Sequence, residues 1–102
     1  VSALAPEACT TMAEVRAGVD ALDRELAALL GRRFAYMDAA ARIKTDRAAV
    51  RDEARKAEVI ANAEAAAVAQ GVPAGVAAAL WESLVEASIA YELAAWDRRA
   101  GR

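Results

Sequence analysis

No histidine occurs among the 102 residues, which removes the usual general base and the commonest metal ligand. Cys9 is the lone cysteine, so no internal disulfide can form. That suits a reducing compartment, and a cytoplasmic setting is the expectation. No apolar run approaches the roughly 18 residues that a membrane-spanning helix requires, so no membrane partner is expected. Ala3-Leu4-Ala5 has the form of a signal-peptide end, but no apolar segment precedes it. A formal charge of −2 gives no basic footprint for nucleic acid. The chain also lacks a nucleophile–base pair, a metal-ligand cluster and a glycine-rich phosphate loop, so no cofactor or metal is expected.

What is present favours helices. Hydrophobic residues reach 58%, but alanine supplies much of this, so the core should be thin and helix contacts close. Helix formers dominate and β-branched residues are sparse, which predicts an all-α single domain over residues 1–102, with 1–10 as a flexible arm. The longest periodic stretch runs from Glu14 to Lys44, with Val15, Val19, Leu22, Leu26, Leu29, Leu30, Phe34 and Met37 at helical spacing and no proline. Thr10 or Thr11 is its expected N-cap, and Glu14 completes a capping box with Thr11. Thr45 to Arg51 reads as a short loop. Asp52 caps a second helix ending near Gln70, and Gly71 supplies a left-handed stop. Pro73 opens a third helix, from about Ala74 to Arg98.

Two cations interrupt the long apolar stripe. Arg33 and Lys44 occupy slots where leucine is expected, eleven residues apart and so on one face, with Arg16 near the start. Arg55 lies one turn before Val59 on the apolar side of the second helix. On the third helix the stripe Leu80, Leu84, Ser88, Glu92, Ala95 turns polar at Ser88 and Glu92, one turn apart. Each residue admits a plain reading: a cation paired with an acid or snorkelling to water, a serine as hydrogen-bonded filler, a glutamate at the wet edge of the stripe. Together with Asp52 they suggest a pocket for a small dicarboxylate, since guanidinium forks match carboxylate oxygens. Such a pocket suits an intramolecular rearrangement or an elimination better than hydrolysis, because it stabilises charge without a base. The two shorter helices can cover only part of the long stripe. A homodimer pairing the long helices is therefore expected, in which Arg16 could reach a pocket built mainly by the partner.

From about Pro6 to Arg98 the chain resembles the all-helical chorismate mutases and their relatives, the isochorismate-pyruvate lyases. The resemblance rests on EVR at 14–16, GRR at 31–33, Lys44, VRDEAR at 50–55 and ASIAYE at 87–92, in order and at the family's intervals. It implies an intertwined dimer with two equivalent sites and catalytic residues Arg16, Arg33, Lys44 and Glu92. Arg16, donated by the other subunit, and Arg33 would grip carboxylates. Lys44 would address the ether oxygen whose bond breaks, and Glu92 would be the second donor there. Asp52 would place the ring hydroxyl, Arg55 would be a further arginine of the site, and Ser88 would meet the ring carboxylate.

Three departures qualify the resemblance. Glu92 stands where many bacterial members have glutamine, and it can donate only if protonated. Lys56 replaces a glutamate that contacts the hydroxyl in many mutases. The arm PEACT looks more like the lyases. VRD at 50–52 and Ser88 look like the mutases, and the lyases carry glutamine in place of Glu92 and lack Asp52. The resemblance therefore favours chorismate-to-prephenate rearrangement, in the shikimate pathway, over salicylate and pyruvate formation from isochorismate. A non-catalytic helical dimerisation or carboxylate-binding module is the reading from a different class.

Overall fold

The computed structural model describes residues 3–101, and every regular element among them is helical. The long helix α1 spans Met12–Ile43, α2 spans Glu53–Ala69 and α3 spans Val76–Ala100, with one-turn 3-10 helices at Pro6–Ala8 and Arg47–Ala49. The expected all-α fold of one long and two shorter helices is the fold observed. The chain divides within α1, between Ala35 and Tyr36, into two compact units.

In the first unit, the stretch expected to be a loose arm contains the Pro6–Ala8 turn, closed by Ala8 N–H and Cys9 N–H donating to the carbonyls of Ala5 and Pro6. Proline at the start of that turn has the backbone angle a helix needs. Residues 1 and 2 of the arm lie outside the described residues. The capping box forms: Glu14 Oε1 accepts from the Thr11 N–H at 3.0 Å, and the Glu14 N–H donates to Thr11 Oγ1 at 3.2 Å. A bond from the Thr10 N–H, then those from the Thr11 and Thr10 hydroxyls, hold the Glu14 carboxyl below its ordinary pKa. Along α1, Val15, Val19, Leu22, Leu26, Leu29 and Leu30 are exposed, Leu22 by 59% and Leu26 by 55%. An apolar groove of about 600 Å³ lies between the arm and α1, lined by Leu4, Pro6, Cys9, Val15, Val19 and Leu22 among others. Gly18 sits at its edge, where a Cβ would come to 3.9 Å from the Leu4 carbonyl, ordinary contact.

The second unit holds the core. Val50, Val85 and Ile89 are buried, with Val59, Ile60, Trp81 and Leu93 packed around them. Ala41, Ala77 and Ala95 are also buried, as close helix packing on small residues requires. The buried face of α3 is Ala77, Val85, Ser88, Ile89, Glu92 and Ala95, so Leu80 falls off it and is 61% exposed. Leu80 instead borders a shallow apolar groove of about 380 Å³ with Ala63, Ala67, Val76 and Trp81.

Local chemistry sets the helix ends. Asp46 caps the short turn by accepting from the Ala48 N–H, and Asp52 caps α2 by accepting from the Arg55 N–H at 3.0 Å. Gly71 stops α2 region with φ of 91°, as its residue type foretold. The start of α3 differs from expectation. Pro73 lies in the turn, and helix begins only at Val76, after Gly75, also at φ 91°. Gly75 has no side chain to cap with. Glu64 of α2 does so instead, its carboxylate accepting from the Gly75 N–H at 2.8 Å and the Ala78 N–H at 3.0 Å.

Candidate functional site

Lys44 is the first residue beyond α1, its N–H still bonded to the Ala40 carbonyl at 2.9 Å. Its ammonium donates to Glu92 Oε2 of α3 at 2.7 Å. Glu92 as a residue is only 4% exposed, whereas the Lys44 side chain is 29% exposed. A carboxylate this far from water needs a cation, and Lys44 supplies it. Glu92 therefore turns inward rather than to the wet edge of the helix stripe. Ser88 lies one turn earlier on the same buried face and donates to the Leu84 carbonyl at 2.7 Å. This back-bond is available to serine inside a helix and satisfies its hydroxyl without a ligand.

The remaining residues expected at the site are placed as follows. Asp52 and Arg55 meet through the α2 cap, one Asp52 oxygen accepting the Arg55 N–H, while the exposed Arg55 guanidinium pairs with Glu58 along the helix. Arg16 and Arg33 belong to the first unit, where Arg16 is exposed and Arg33 half-buried. Lys56, the departure noted in the sequence, is 16% exposed and donates to Glu82 and Glu86 of α3, each at 2.8 Å. Arg51 joins it with two bonds to Glu86, at 3.0 and 2.8 Å. Bonds from Arg51 first and Lys56 second hold the Glu86 carboxyl down at about 2, and the acids in turn raise both cations. These charges tie the first turn of α2 to α3.

Sequence reasoning missed three polar links that fix the end of α1 against α3. The Tyr91 hydroxyl donates to Asp38 at 2.8 Å, which raises the Tyr91 pKa. The Trp96 indole N–H donates to the Lys44 carbonyl at 3.0 Å. Arg47 grips Asp97 with two bonds, at 2.8 and 3.1 Å. The available signal was spacing: Trp96 stands one turn after Glu92, on the side facing Lys44.

The arrangement offers a hydrogen-bonding ammonium held by a buried acid, with no cluster of metal-ligating side chains among the described residues. It can stabilise negative charge on an oxygen without exchanging a proton with it. No helix among the described residues is long and apolar enough to cross a membrane. The family model for chorismate mutase type II matches residues 15–93. A relative named isochorismate pyruvate lyase, from Pseudomonas aeruginosa, is 30% identical over 96 residues, which covers 94% of this chain and 95% of that protein.

Proposed function

We propose that this chain, which belongs to the chorismate mutase type II family, rearranges chorismate to prephenate. The observation that carries the reading is the buried Glu92 holding the Lys44 ammonium at 2.7 Å. In the rearrangement an ether C–O bond breaks as a C–C bond forms, and negative charge grows on the ether oxygen. Lys44 has three donors, one of them on Glu92 Oε2, and turns another to that oxygen. Glu92 is the second group assigned to that oxygen, and its Oε2 accepts from Lys44. Arg33 and Arg16 clamp the two carboxylates and hold the folded conformer in which the ends react. Asp52 orients the ring hydroxyl, Ser88 meets the ring carboxylate once its hydroxyl turns from the Leu84 carbonyl, and Arg55 joins them with the donors that Glu58 leaves open. No proton leaves the substrate, so a chain without histidine is equipped for this step.

The working form is a homodimer acting as one mutase-like domain per chain. The exposed row Val15, Val19, Leu22, Leu26, Leu29 and Leu30 supports it, since covering one such side chain is worth about 1.5–3 kcal/mol. In that dimer Arg16 serves the partner's site.

The Pseudomonas relative favours a second reading, cleavage of isochorismate to salicylate and pyruvate, which breaks a similar ether bond. Asp52 and Glu92, the residues that look unlike the lyases, tip the choice to the mutase. One preparation assayed with both substrates decides. Loss of chorismate absorbance without salicylate fluorescence from isochorismate is expected, and the reverse selects the lyase. Arg33→Ala and Lys44→Ala should abolish turnover with helicity kept. A folded dimer inactive on both substrates would select the binding-module reading.

A further inference from the structure

We infer that Trp96 is a positioning residue for Lys44. The inference builds on the assignment of Lys44 to the ether oxygen, and Trp96 lies beyond the segment 15–93 matched to the family. Lys44 sits where α1 ends, and carbonyls at a helix end have no partner within the helix. The Lys44 carbonyl finds one in the Trp96 indole N–H at 3.0 Å. One turn earlier on α3, Glu92 holds the same lysine's ammonium at 2.7 Å. A single turn of α3 thus grips Lys44 at both ends, backbone and head group.

This matters because lysine is a point charge on a flexible four-carbon stem. Tethering the head alone leaves the stem's origin free to fray with the last turn of the helix. Tethering the backbone alone leaves the head to wander. Arg47 and Asp97, joined by two bonds, add a third link between the segment that follows and α3. Lys44 therefore meets a substrate already ordered, and stabilisation of the breaking bond is not spent on ordering it.

Trp96→Phe in the full chain keeps the aromatic packing and deletes the donor. Expected is a kcat about tenfold lower on whichever substrate the wild type turns over, the scale of one hydrogen bond, with KM within twofold. By NMR the Lys44 amide, bonded to the Ala40 carbonyl in the last turn, should exchange about tenfold faster in the variant. In the wild type the Trp96 indole proton should exchange slowly, a reading that needs no variant. Val59→Ala, which loosens the core without touching Lys44, should lower the melting temperature and leave kcat within twofold. An unchanged kcat in Trp96→Phe overturns the inference, as does a rapidly exchanging indole proton or a Val59→Ala loss of kcat as large. If the wild type turns over neither substrate, the proposed reaction fails while the anchor is still decided: faster Lys44 exchange in Trp96→Phe upholds it and unchanged exchange overturns it.

Discussion

Replacing Lys44 with methionine keeps the stem and removes the charge, leaving Glu92 without its cation. The Glu92 side chain is 6% exposed, so its carboxylate gains almost nothing from water where it stands. Breaking a buried pair by removing one partner costs about 3–5 kcal/mol. The lower end applies here, about 3 kcal/mol, because the Lys44 side is 29% exposed and a shortened head group admits some water. The opposite change, Glu92→Gln, leaves an ammonium that can turn outward and keeps a hydrogen-bond acceptor, so its cost should be nearer about 1 kcal/mol. The double variant Lys44→Met with Glu92→Leu replaces the pair with apolar side chains and should return to within about 1 kcal/mol of wild type. Urea unfolding at one protein concentration measures all three. Turnover should be absent in Lys44→Met and in the double variant alike, which separates what the pair does for stability from what it does for reaction. Equal costs for Lys44→Met and Glu92→Gln, or a Lys44→Met cost below about 0.5 kcal/mol, as for an ordinary surface change, would refute the reasoning.

Other outcomes follow from the same structure. Glu86 is held at about 2, below its ordinary 4.5, so the stabilisation it gives is complete above about 4.5 and disappears as pH falls toward 2. The gap in urea midpoint between wild type and Glu86→Gln should therefore close across that window, and a gap independent of pH would show that the Arg51 and Lys56 bonds contribute nothing. Leu26→Lys places a charge in the exposed apolar row of α1 and should convert a dimer into a monomer in sedimentation equilibrium. A wild-type monomer in the same experiment would end the dimer argument.

Features set by neighbouring residues were legible in the sequence. The Thr11–Glu14 box, the Asp52 cap and the Gly71 stop each depend on residues within a few positions, and all three form. Features set across the chain were not. Pro73 looked like the opening of the third helix, because proline suits a first turn, but the cap arrives from Glu64, eleven residues before Gly75, and moves the start to Val76. Leu80 continued a four-residue stripe on paper. The face that packs runs through Ala77, Val85 and Ser88, and a shift of one residue turns a helical side chain by about 100°. At the site, spacing identified Lys44 and Glu92 as positions where charge was out of place among apolar residues. It did not reveal that they touch, nor that Trp96 joins them, because an indole in a stripe looks like ordinary core until its N–H has a named acceptor. Lys56 stood out as a departure from the mutases' glutamate, and its two partners lie 26 and 30 residues further along.

The loan of Glu64 to the start of α3 has a consequence for how the protein comes to exist. A helix that follows a glycine has no side-chain cap of its own, and although the Val76 N–H meets the Pro73 carbonyl at 3.3 Å, the Gly75 and Ala78 amides depend on α2, so α3 in isolation should fray at that end. The Gly75 and Ala78 amides meet Glu64 only once α2 has wound far enough to present residue 64 and the turn at 70–75 has closed. The two helices should therefore appear together, as a hairpin that forms in one event, and the helix that bears Glu92 and Trp96 cannot mature before its predecessor.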